Sequence, residues 1–528
     1  MYLRRPTGRS DVLAQNGVVA ASQPLAAQAG LRIIQKGGNA IDAAVATAAA
    51  LDVVEPFSTG CGGDAFALIH LNGSSEPLSY NGSGRSGSLV TLQELLDKGW
   101  KNMPARGGPP ITVPGALHLW FHIVEKHGNL EMKDILEPAI NYARNGFPVS
   151  PLIGASWKWI PNVLRNEAAR EIYAPNGATP TIGQIMKNKD LADTFETVAE
   201  DGVDAFYSGR IAESIVKTVQ DDGGFLTLED LASHKTEETK SISVSYRGID
   251  VFEHPPNGQG FAALSMLNIM ETFDFSKYTS LSAERYHLMI EAKKLAYADL
   301  YQYNADPSFY DVPLKKLLAK SYAKERAKSI NFTKAMSVYA PGLKLGDDTV
   351  YLATADGEGN AVSFINSLYM GIGSGLVAPG TGIKLQNRGH LFSLDPEHPN
   401  AYAPKKLPFH TIIPGALYKD KNLMGVFGIM GGSHQAQAHA QFVSNVVDYG
   451  MSPQEAIDHP RFDHNHSTNK VGLENEISPE VQGELWKRGH SLLHETASYF
   501  GGGQAIFRLD DAWIAGSDHR KDGQAVGF

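Results

Sequence analysis

Two carboxylates precede a threonine, Asp347-Asp348-Thr349, at the head of the segment GDDTVYLATADGEGNAVSFINSLYMGIGSG, residues 346–375. Cleavage of the peptide before Thr349 would give that residue both a hydroxyl nucleophile and a free α-amine. An α-amine titrates at about 7.7–8.0 and is well matched to take the hydroxyl proton near neutral pH. Such a residue attacks amide carbonyls through an acyl-enzyme. By residue type alone, Thr349 reads first as an ordinary strand opener after an acidic turn.

A second chemical feature is the glycine pair Gly431-Gly432 in FGIMGGSHQAQAHAQF. It falls between an apolar strand and a helix start, where backbone N–H groups can enter a site with no Cβ in the way. That is what an oxyanion hole needs, although an N-cap turn has the same sequence. Other motifs carry less. Gly82–Gly87, GSGRSG, matches a dinucleotide-binding pattern, but no helix starts at Gly87 and no strand ending in an acid follows. Gly371-Ile372-Gly373-Ser374-Gly375 lacks the strand-to-helix context of a nucleophile elbow. His434 and His439 stand five apart, and His464 and His466 lie in the polar stretch DHNHST. No cysteine or close acid completes a ligand set, so all four read as solvated, with no metal and no cofactor expected. The single cysteine, Cys61, reads as a small buried residue.

The elements that must position these groups follow from periodicity. Residues 17–56 read as strand, helix, loop and helix, with Ser22 capping the first helix and Asn39 the second. Residues 64–80 read as a hairpin turning at Asn72-Gly73. Residues 91–98 are a short helix with a Thr91…Glu94 capping box. Helical patterns fill 115–145, 187–235 and 260–330. Residues 335–348 are polar, aperiodic and rich in Gly and Pro, which marks a linker. Beyond it YLATA, AVSFI, GIKLQ, HTIIPGALY, LMGVFGI and QAIFRL read as strands, interrupted by helices near 435–449 and 478–488. A helix-rich front and a strand-rich back predict an α+β fold.

Bulk properties narrow the partners. The chain has 528 residues, 42% hydrophobic and 20% charged, with a net charge of −10. That is a globular composition and disfavours nucleic acid and anionic membrane as partners. The apolar run at 40–54 holds two Asp and is too short to span a bilayer. The N-terminus has basic residues with no apolar stretch behind them, so the protein is expected to be cytoplasmic.

Ordered along the chain are SQPLAAQAG, GGNAIDAAVATAAAL, GCGGDAFALI, ITVPGA, EAKKLAYAD, DDTVYLATADGEGNAVS, GSGLVAPGTGI and HPRF. As a set these resemble the gamma-glutamyltransferase family of N-terminal-nucleophile hydrolases over nearly the whole chain. The resemblance implies a four-layer αββα sandwich made from one precursor cut between Asp348 and Thr349. The pieces would be a large subunit, 1–348, and a small subunit, 349–528, together one structural domain and open to assembling as a homo-oligomer. It implies Thr349 as nucleophile, Gly431 and Gly432 as oxyanion donors, and Ser367 at a position where the family has a supporting threonine. The scissile peptide is expected in an exposed, strained segment.

The same resemblance shows departures where typical members grip a gamma-glutamyl group. Asn81 stands at the carboxylate-clamping Arg, Tyr369 at a substrate-binding Asn, Gly389-His390-Leu391 at an acidic stretch, and His410-Thr411 at a Ser-Ser pair. The pattern is similar to a divergent branch that includes oxamate amidohydrolase and cephalosporin-acylase-like proteins. The expected substrate is a small amide, gamma-glutamyl or acidic, with Arg388 or Arg85 anchoring its carboxylate. The contrasting expectation is an unprocessed, inactive binding protein on the same fold.

Overall fold

The alternating run after Thr349 becomes the centre of a sheet. Strands Asp348–Asp356 and Ala361–Tyr369 pair antiparallel, with Tyr351 opposite Ile365 and Ala353 opposite Ser363. Asp356 closes the turn between them, its Oδ1 accepting the N–H groups of Glu358 and Asn360. The computed structural model describes residues 8–337, 348–494 and 500–528. Most of the linker anticipated at 335–348 therefore lies outside the described residues.

The sheet holding Thr349 runs, edge to edge, Gln524–Gly527, Gly17–Ala21, Asp348–Asp356, Ala361–Tyr369, Asp64–His70, Leu78–Gly82 and Glu237–Thr239. A second sheet runs Val12–Ala14, Trp513–Ser517, Gly502–Arg508, Asn422–Met430, Gly415–Lys419, Ile249–Glu253 and Ile242–Tyr246. Each sheet takes its central strands from beyond residue 348, so neither half of the chain could complete a sheet alone.

The two sheets pack face to face. Phe66, Tyr351 and Ile365 of one meet Phe252, Val426 and Ile506 of the other in a buried layer. Ser363 stitches them together: its hydroxyl donates to the Phe427 carbonyl at 3.2 Å and accepts from Gly415 N at 3.0 Å. Gly428 lets them approach, since a Cβ there would lie 2.3 Å from the Tyr351 ring. Helices cover both outer faces. Ala40–Val54, buried on every side as its uniform apolarity requires, lies over the first sheet; Gly260–Met270, Ala283–Tyr303 and His434–Tyr449 lie over the second. The result is the four-layer αββα sandwich expected from the sequence. Among the described residues no helix is long and apolar enough to cross a membrane.

Local differences have simple causes. Asn39 caps its helix through a capping box with Asp42, but the first helix is capped by Gln23, whose Oε1 accepts from Leu25 N at 2.6 Å. Ser22 donates instead to the buried Glu55 carboxylate at 2.6 Å. GIKLQ keeps only Ile383–Lys384 as strand, and HTIIPGALY only Gly415–Lys419. Residues 409–414 leave the ladder because their polar groups bond into the site described next.

Candidate active site

Thr349 is the second residue of its strand and only 1% exposed. The Asp348–Thr349 peptide lies at the head of this strand. The ladder slips there: Asp348 faces Tyr369 while Val350 faces Asn366, an extra residue on the partner strand. That strand ends at Tyr369 with φ +78, a left-handed conformation that a non-glycine residue seldom adopts. The bulge turns Ser367 toward the threonine, and the two hydroxyl oxygens lie 3.1 Å apart. Tyr369 N donates to Ser367 Oγ at 2.8 Å. That contact fills one lone pair of Ser367 and holds its hydroxyl beside Thr349 Oγ1.

The second sheet approaches from the other side. Strand Asn422–Met430 ends in Gly431 and Gly432, and helix His434–Tyr449 starts just after them. Both glycines have positive φ, +127 and +53. A Cβ on Gly431 would stand 3.3 Å from Gly501 Cα, so the turn is backbone-only by necessity. Gln259 Nε2 donates to the Gly432 carbonyl at 2.8 Å and also to the Thr411 carbonyl. Those contacts fix the orientation of the turn. Gln435, in the first helical turn, accepts from Ile413 N at 3.0 Å and places its Nε2 3.5 Å from Thr349 Oγ1.

Arg388 sits beside this nucleophile site, fully buried. Its Nη1 donates to Thr411 Oγ1 at 2.8 Å, and its guanidinium carbon lies 4.6 Å from the centre of the Tyr369 ring. Its Nε and Nη2 have no hydrogen-bond partner among the described residues. A buried guanidinium edge with two unmet donors has the geometry that pairs with a carboxylate. Burial lowers the pKa of Arg388 to about 10, opposed by nearby Asp64.

Asp64 is itself buried. Its Oδ1 accepts from Gly84 N and from Gln386 Nε2, both at 2.9 Å, and its Oδ2 lies 2.9 Å from His410 Nε2. Burial pushes its carboxyl up to about 7, against the pull of Arg388 and these donors. Burial and the Arg388 charge hold His410 well below its ordinary range. The contact is therefore a neutral imidazole N–H donating to Asp64, so His410 brings no positive charge of its own, and the charge facing Arg388 is set by the protonation of Asp64.

The remaining sequence candidates separate. Thr411 touches Arg388, and His390 stacks on Tyr369 while holding the Met103 carbonyl at 2.8 Å. Asn81 is occupied by Asn257 and Ser83. Arg85 is bound by Asp306 at 2.9 Å and Glu237 at 2.5 Å and is 32% exposed. With two carboxylates on it, Arg85 has no charge to spare, whereas Arg388 keeps two donors unmet.

Asp64, Gln259 and Gln435 were missed in the sequence. Gln435 had a signal, since a side chain in the first turn of a helix leans back toward its N-terminus. The histidines read as solvated are buried. His434 holds Asp463 at 2.9 Å and His439 holds Glu253 at 2.8 Å. His464 meets the Lys293 ammonium at 3.1 Å, and His466 packs against Tyr301. Each finds a polar or aromatic partner from a distant segment, which its own neighbours in sequence could not reveal.

Relatives place this geometry. The chain matches the family described as gamma-glutamyltranspeptidase over residues 26–528. It is 39% identical over 528 residues to "Glutathione hydrolase-like YwrD proenzyme" of Bacillus subtilis (strain 168), covering 98% of this chain and 99% of that protein. It is 33% identical over 533 residues to "Oxamate amidohydrolase proenzyme" of Klebsiella pneumoniae, covering 98% of this chain and 100% of that one. The crystal structure of cephalosporin acylase from Bacillus halodurans superposes with a TM-score of 0.94 at 43% identity, covering 100% of this chain and 98% of that chain. With a match that runs from residue 26 to the last residue, the chain belongs to the gamma-glutamyltranspeptidase family.

Proposed function

We propose that the chain cuts itself between Asp348 and Thr349 and then hydrolyses a small amide that carries a carboxylate. The observation that carries the substrate class is the buried edge of Arg388, with Nε and Nη2 unmet, packed on Tyr369 next to the Thr349–Ser367 pair. The substrate carboxylate docks on that edge. Thr349 Oγ1 attacks the amide carbon while the new α-amine takes its proton, and the N–H groups of Gly431 and Gly432 receive the oxyanion. Collapse expels the amine with the proton from Thr349, leaving an ester. Water, deprotonated by the same amine, then releases the acid.

Relatives named as proenzymes support the cut, and one of them is named for oxamate, a carboxylate-bearing amide. Gly389, His390 and Leu391 offer no carboxylate to grip a glutamyl ammonium, which favours the simpler acid amide. The test compares oxamate, its uncharged diamide oxamide, and glutathione as substrates of the purified protein. Turnover of oxamate well above oxamide is expected. Equal kcat/KM for oxamate and oxamide would remove Arg388 from substrate recognition.

A further inference from the structure

Away from Thr349, helix Ala283–Tyr303 carries His287 and Glu291 four residues apart, hence on one face. His490, from beyond residue 349, packs onto the same face. All three residues are buried, and the ligand atoms they offer lie within 4.8 Å of one another. His287 Nδ1 and His490 Nε2 are 2.8 Å apart. His287 gives its Nε2–H to the Asn331 carbonyl at 2.7 Å, which fixes the tautomer and leaves the Nδ1 lone pair facing the other two side chains. A carbonyl behind a histidine in this way is the outer support that metal-bound imidazoles use. His490 is 3% exposed, and its Nδ1 has no partner among the described residues.

We propose that His287, Glu291 and His490 form a binding site for a divalent transition-metal cation, with Zn²⁺ the best match to two imidazoles and a carboxylate. The metal replaces the proton between the two rings, and that proton moves to His490 Nδ1, so both ligands stay neutral imidazoles. Two imidazole nitrogens on a tetrahedral Zn²⁺ stand roughly 3.3 Å apart. The rings therefore open by about half an ångström. Glu291 Oε2 accepts from Met336 N at 2.8 Å, and Oε1 lies 2.7 Å from Lys294 Nζ. Each carboxylate oxygen keeps a second lone pair for the cation. Lys294 opposes the metal charge and sets an upper limit on affinity.

The site joins the long helix, the segment Asn331–Met336 that leads toward Thr349, and the C-terminal part of the chain. In a cut chain the metal would clip the two pieces together. The site itself does not depend on the proposed reaction, because Thr349 is no part of it.

The experiment equilibrates the full-length protein with Zn²⁺, desalts it, counts metal by mass spectrometry and measures Tm with and without Zn²⁺. About one Zn²⁺ per chain and a raised Tm are expected for the wild type and for Thr349→Ala, since a ligand that binds only the folded state stabilises it. His490→Gln and Glu291→Gln should each fall below about 0.2 per chain and lose the Tm response, while Lys294→Met should bind more tightly. Glu291→Gln keeps the size and the Met336 contact, so it remains informative if His490→Gln does not fold. A wild type that retains less than about 0.2 Zn²⁺, or variants that retain the wild-type amount, would overturn the site.

Discussion

Replacing Arg388 with Gln probes substrate recognition most sharply. The guanidinium is fully buried and offers Nε and Nη2 on one edge, the fork that matches both oxygens of a carboxylate. Gln keeps a donor near Thr411 but has neither the fork nor the charge. A charge-assisted contact of this kind contributes about 1.5–3 kcal/mol, which corresponds to roughly a 13- to 160-fold loss in kcat/KM for oxamate. The anchor grips a carboxylate whose charge is the same in ground state and transition state, so the loss falls mainly on KM. Arg388→Lys keeps the charge and lacks the fork, and should fall between the two. Steady-state kinetics on oxamate and oxamide, with Tm measured on each variant, separates recognition from folding. If Arg388→Gln folds and its KM for oxamate stays within about twofold of wild type, the carboxylate docks elsewhere.

Two other outcomes follow from the same geometry. Ser367→Ala removes the hydroxyl 3.1 Å from Thr349 Oγ1 and should lower kcat by roughly 3- to 13-fold, about one hydrogen bond. Ser367→Thr, which restores a hydroxyl, should recover most of that loss. Asp64 supplies a pH signature. Its folded value of about 7 lies above the ordinary carboxyl value, so the folded chain binds the extra proton. The corresponding contribution to stability is present at low pH and is lost as pH rises from about 4 to about 7. Above about 7 the new negative charge beside Arg388 competes with the substrate carboxylate. KM for oxamate should therefore rise above that pH in the wild type and stay flat in Asp64→Asn, while kcat follows the α-amine of Thr349.

The parts of the site legible in the sequence are those encoded by contiguous residues. The alternation after Thr349, the glycine pair between strand and helix, and the Thr91…Glu94 capping box each place their own backbone, and each is found in the structure. The αββα layering followed from the resemblance, since pattern alone reached only α+β. Partners brought together across hundreds of residues stayed hidden. Asp64 meets His410 and Gln386, and Gln259 holds both Thr411 and Gly432, across two sheets. The same limit explains the histidines: His434 and His439 look solvent-facing until Asp463 and Glu253 arrive from other elements. It also explains why Arg85 and Arg388 looked equivalent. Only the fold shows that Asp306 and Glu237 occupy the first and leave the second with open donors.

The nucleophile at Thr349 is tested most directly by intact-mass and N-terminal sequencing of the purified chain beside Thr349→Ala. The expected result is a 348-residue piece and a 180-residue piece of the 528-residue chain, the smaller beginning Thr349-Val350-Tyr351, with Thr349→Ala uncut and inactive. A wild type that hydrolyses amides as a single uncut chain, or that is cut at any other peptide, would contradict Thr349 as the nucleophile.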